Sequence, residues 1–69
     1  MTDYGATREQ ILKVVARTKK PRDRSTLTWA IIDDAEAGEW EYLEGFLSDQ
    51  FPPDDAAEIM KIVRQQSDQ

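Results

Sequence analysis

Residues 33–45, Asp33-Asp34-Ala35-Glu36-Ala37-Gly38-Glu39-Trp40-Glu41-Tyr42-Leu43-Glu44-Gly45 (DDAEAGEWEYLEG), decide how this chain folds. Six of the first twelve are acidic, and a glycine interrupts them. Upstream, Leu27, Ala30, Ile31 and Ala35 recur at helical spacing, with Trp29 and Ile32 beside them. Downstream, Trp40, Leu43, Phe46 and Leu47 recur in the same way. Each residue turns a helix by about 100°, so on one rod the two stripes would point about a third of a turn apart. The apolar stripe thus changes face at Gly38, where a glycine readily takes the left-handed conformation that ends helices. The stretch predicts two helices meeting at a corner.

The same residues invite a calcium reading. With Gly38 at the glycine position of an EF-hand loop, Asp33 falls first and Glu44 twelfth. Ala35 and Ala37 then occupy the third and fifth positions, where the ion needs oxygen ligands. Alanine has none, and the surrounding residues keep a helical period. The sequence therefore predicts no metal site and no cofactor.

Working outward, Thr7-x-x-Gln10 reads as a capping box opening a first helix, with Ile11, Leu12, Val14, Val15 and Ala16 as its apolar stripe. Pro21 reads as its stop, because the residue before a proline avoids the helical region. The segment KKPRDRST then reads as a polar connector, with Ser25 and Thr26 as N-cap candidates for the second helix. At the other end, Pro53 suits the first turn of a helix. Asp54, Asp55 and Glu58 place negative charge at its positive pole, and Ala56, Ile59, Met60 and Val63 form its stripe. Helices are expected at 7–19, 26–37, 39–50 and 54–66, with 1–6 and 67–69 frayed and QQSDQ a loose tail. The fold class is all-α: one domain over residues 1–69, a small compact bundle of three to four short helices.

Sixty-nine residues without cysteine allow one marginally stable domain and no disulfide. A homodimer is a common remedy for a core this small, so a second copy is one candidate partner. The sequence predicts no leader and no apolar run near the ~20 residues of a membrane span. A cytoplasmic location and no membrane partner are expected. With neither His nor Cys, the commonest general base and the commonest thiol nucleophile are missing. Asp33-Asp34 and Asp54-Asp55 are sequence neighbours, which point apart on a helix. No enzyme is expected.

The net charge of −5 hides an asymmetry. Residues 1–30 carry seven basic and three acidic side chains; residues 31–69 carry two basic and eleven acidic. Two binding readings follow. In the first, Asp33, Asp34, Glu36, Glu39, Glu41 and Glu44 form a negative helical surface for a protein partner, with Tyr42 or Trp29 as aromatic anchor. Such a surface can occupy a basic, nucleic-acid-binding groove by imitating a row of phosphates. In size and charge the chain resembles small phage and mobile-element proteins that inhibit host enzymes or defence complexes, a likeness of type that no motif carries. In the second reading, Arg17, Lys19, Lys20, Arg22 and Arg24 contact DNA or RNA phosphates. A helix-turn-helix fits poorly, because the segment after Gly38 carries only acids where a recognition helix needs bases. The plainer accounts are a connector that balances the acidic half and an acidic coat that keeps the protein in solution. Of the aromatics, Trp40, Phe46 and Phe51 are expected inside, while Trp29 and Tyr42 lie off the stripes.

Overall fold

The computed structural model describes residues 5–67, and they form four helices: α1 (Gly5–Val15), α2 (Pro21–Glu36), α3 (Trp40–Gln50) and α4 (Pro53–Ser67). The all-α bundle expected from the periodicity is the fold. Helices α2 and α4 touch each other and both of the others, whereas α1 and α3 are not in contact. The molecule is thus a central α2/α4 pair with α1 on one flank and α3 on the other. Ile11, Val14 and Val15 of α1 enter the core from one side and Leu43 and Leu47 of α3 from the other. Between them lie Ile31, Ile32 and Ala35 of α2 and Ala56, Ile59 and Val63 of α4, with Phe51 closing the α3–α4 corner. Burying each of the larger side chains is worth about 1.5–3 kcal/mol.

The corner at Gly38 is as expected. Its φ is +73°, the only positive value among the described residues. The Glu39 amide donates to the Asp34 carbonyl at 3.0 Å and the Gly38 amide to the Ala35 carbonyl at 3.2 Å. These two bonds are the Schellman pattern, which satisfies carbonyls that the end of α2 would otherwise leave free.

Several local expectations are corrected. Pro21 does not stop α1, which ends at Val15. It is the first residue of α2, which starts five residues before the expected position 26. Lys20 just before it is extended (ψ 151°), as proline requires. Ser25 and Thr26 are consequently inside α2 and exposed, and cap nothing. Helix α1 ends at Val15 rather than 19, in a turn whose bonds include Arg17 amide to Val14 carbonyl and Lys19 amide to Val15 carbonyl. The capping box is absent as well. Thr7 lies within α1, buried, and its hydroxyl donates to Gln66 Oε1 at 2.7 Å, tying the start of α1 to the end of α4. Gly5, Ala6 and Ser67, expected as frayed ends, are helical, and Gln65 and Gln66 belong to α4 rather than to a loose tail, as the expected span 54–66 has them. Residues 1–4 and 68–69 lie outside the described residues. Phe51 is buried as expected, but Trp40 and Phe46 are only half-buried against the core.

Candidate functional site

The geometry of the corner controls the acidic residues. The turn at Ala37–Glu39 is only three residues long, so Asp33, Asp34 and Glu36 ride on the end of α2 while Glu41 and Glu44 ride on α3. Residues that a calcium loop would unwind are helical. No group of three or more acidic side chains is placed to hold a metal ion among the described residues.

Helix α3 carries no basic residue, and Glu41, Tyr42, Glu44, Gly45, Ser48 and Asp49 are all exposed along it. Two shallow depressions adjoin on this outer side. One is lined by Glu41, Tyr42, Gly45, Phe46 and Asp49, the other by Glu41, Glu44, Gly45 and Ser48. They meet at Gly45, whose missing side chain leaves the helix backbone bare between them. A groove of about 400 Å³ lies between α3 and α4, lined by Leu47, Ala56 and Met60 with Glu44 and Arg64. Arg64 lies over the ring of Trp40, 5.2 Å from its centroid.

Among the described residues, no basic side chain reaches Asp33, Asp34, Glu36, Glu39, Glu41, Glu44 or Asp49 within ion-pair distance; the ion pairs found use Asp55 and Glu58. The Schellman turn also sets Glu39 beside Asp34, where many such turns place an apolar contact. Partial burial first, then the charges of Glu39 and Asp33, push the Asp34 carboxyl above its ordinary range. Glu36 and Glu39 are exposed at the corner, as Glu41, Glu44 and Asp49 are along α3.

Tyr42 and Trp29 are both exposed, by 65% and 48%. They do not share a surface. Trp29 lies on the α1 side of α2, with the Arg8 guanidinium 5.7 Å from its ring centroid, and α1 does not reach α3. Tyr42 alone stands among the α3 acids.

The basic set is divided by its local bonding. The Arg24 guanidinium donates to the carbonyls of Lys19 (3.0 Å) and Ala16 (3.3 Å), closing the end of α1. Arg17 bridges Asp55 at 3.3 Å and Glu58 at 3.1 Å on α4. Hydrogen bonding to Glu58 foremost, with Asp55 adding to it, raises the Arg17 pKa above its ordinary value. The Lys19 ammonium sits 5.1 Å from the centroid of the Phe51 ring. Lys20 and Arg22 are exposed, with no ion pair or hydrogen bond of their side chains among the described residues. Three of the five candidate phosphate contacts thus already hold the fold together.

Sequence reasoning did not identify the roles of Arg17 and Arg24, which depend on which helix ends meet in space. It also passed over Gly45, though an isolated glycine inside a helical pattern is a readable signal. Comparisons with protein-family models, with curated proteins and with solved structures find no match for this chain.

Proposed function

We propose that this chain is a non-enzymatic binding protein that blocks a basic, nucleic-acid-binding surface of a partner protein, using the acidic side formed by α3 and the end of α2. The observation that carries this reading is that, among the described residues, no basic side chain lies within ion-pair distance of those carboxylates. A structural role for the charges would leave them paired, as Arg17 is paired on the opposite flank. Exposed and without an ion pair, the acids of α3 attract a cationic surface over the screening length of about 8–10 Å and speed encounter. Tyr42 supplies a rigid ring with a polar tip at the centre of the charge, the composition of an interface anchor.

Affinity capture from a cytoplasmic extract, with and without nuclease, tests the reading. A protein complex that survives nuclease and disappears when Glu39, Glu41 and Glu44 are changed to Lys is the expected result. Nuclease-sensitive capture that disappears with Lys20→Ser and Arg22→Ser would instead make this a nucleic-acid-binding regulator. Those two positions are the informative ones, because changing Arg17 or Arg24 also removes contacts within the fold. A solution mass twice that of the chain, lost with the same Glu→Lys changes, would assign the acidic side to self-association.

A further inference from the structure

Gly45 is a cost to the fold with no return inside it. It lies mid-way along α3, its φ is not positive, and a Cβ built on it meets nothing within 4 Å. Neither conformation nor packing asks for glycine there, and glycine in a helix interior costs about 1 kcal/mol relative to alanine. Glycine allows another backbone to approach closely. At Gly45 that approach is open, because the position is exposed and both depressions of α3 converge on it.

Resting on the reading above, we infer that α3 is the seat for a basic helix of the partner protein, which crosses α3 at Gly45. The shape and the charges define this occupant. Tyr42 and Phe46, one turn apart, form an aromatic rim on one side of Gly45, and Ser48 and Glu44 form a low polar rim on the other. Glu41 and Asp49 stand at the two ends, eight residues and about 12 Å apart along the axis. A crossing helix with alanine or glycine at the contact approaches closely, because interaxial distance depends on the side chains at the crossing. Lys or Arg flanking that contact meets Glu41 and Asp49. A cationic occupant is required, since α3 has carboxylates and no base.

The probe is a synthetic amphipathic helical peptide of about 18 residues, with an alanine contact line flanked by arginines. A peptide of the same composition in scrambled order is the control. Amide chemical shifts of the full chain report where each peptide binds, and titration in low salt reports how tightly. The expected result is a perturbation centred on Tyr42, Gly45, Phe46 and Asp49 for the patterned peptide. Gly45→Ala should weaken it about tenfold by filling the close approach, while raising the melting temperature of the free protein. Tyr42→Ala should weaken it too. Equal binding of both peptides, spread to Asp33–Glu39 and indifferent to Gly45→Ala, overturns the helix seat and leaves the acidic-surface reading standing. No binding of either peptide in low salt overturns both.

Discussion

The two flanking helices have the same length, eleven residues each, and pack on the same α2/α4 pair, yet they are held differently. Helix α1 buries Thr7, Ile11, Val14 and Val15, whereas α3 buries Leu43 and Leu47. The surroundings of α1 are stitched to the rest: Thr7 to Gln66, Arg8 over Trp29, Arg17 to α4, Arg24 to the carbonyls at its end. Along α3 the exposed charges are all of one sign and unpaired among the described residues. Around α1, the charges of Arg8, Arg17 and Arg24 make contacts within the fold, whereas the charges of α3 make no ion pair among the described residues. A domain with a small core puts its cross-links on one flank and leaves the other as surface.

The largest expected effect tests whether both flanks belong to one cooperative core. Ile11→Ala on α1 and Leu43→Ala on α3 each remove a fully buried side chain and should cost about 2–5 kcal/mol in thermal or urea unfolding. If Leu43→Ala costs under about 1 kcal/mol, α3 is an appendage, and the comparison fails at its root.

The next two changes address how each flank is attached. Arg24→Ala strips two carbonyls at the end of α1 of their donor and should cost about 1–2 kcal/mol. Arg24→Lys should not restore it, because an ammonium lacks the fork that reaches both carbonyls. Gly38→Ala, measured in the same unfolding assay, should cost about 1 kcal/mol. Its surroundings are open, so the loss reports only the strain of a side chain at φ +73°.

A smaller effect separates the charges themselves. Arg17 is 53% exposed, so replacing it with alanine should lower the melting temperature only slightly, and less as salt rises. Glu41→Gln and Glu44→Gln should leave stability within about 0.5 kcal/mol of the parent. Destabilisation by either Gln substitution would show that α3 charge supports the fold after all.

The smallest effect is at the corner. Burial and the neighbouring Glu39 and Asp33 hold the Asp34 carboxyl above its ordinary 3.8. As pH falls through that raised value, the folded protein takes up this proton before the unfolded chain does. The contribution of Asp34 to stability is therefore full below 3.8 and lost as pH rises through the folded value. Asp34→Asn should accordingly raise the melting temperature at pH 7, with the gain shrinking towards pH 4. A gain independent of pH would place its cause elsewhere than in the charge.

Much of this organisation is legible in the chain, and particular residues show where legibility ends. Gly38 is readable because the apolar stripe on its two sides disagrees in direction, and only a corner reconciles it. The exposure of Tyr42 and Trp29 is readable because neither lies on a stripe. Pro21 misleads: α1 has already ended at Val15, the ring starts α2 instead, and sequence alone favoured the polar Ser25-Thr26 pair as the starting point. Thr7 misleads likewise, since its hydroxyl has a local partner in a capping box and a distant one in Gln66, and the distant one wins. The acidic candidate surface is legible as composition. Its division into a Tyr42 side on α3 and a Trp29 side against α1 is not, because that depends on which helices touch.

By itself the sequence determined the helical class, the corner at Gly38, the absence of cysteine and histidine chemistry and the segregation of charge along the chain. These follow from residue identity and from periods of three to four residues, which act locally. Only the tertiary structure decided which charges are consumed. Arg17 meets Asp55 and Glu58 across about forty residues once α1 and α4 pack side by side, and Arg24 of α2 reaches back over the end of α1. Ion pairing depends on distance in space, which no local pattern records. That packing leaves α3 as the acidic flank, with Gly45 bare at its centre.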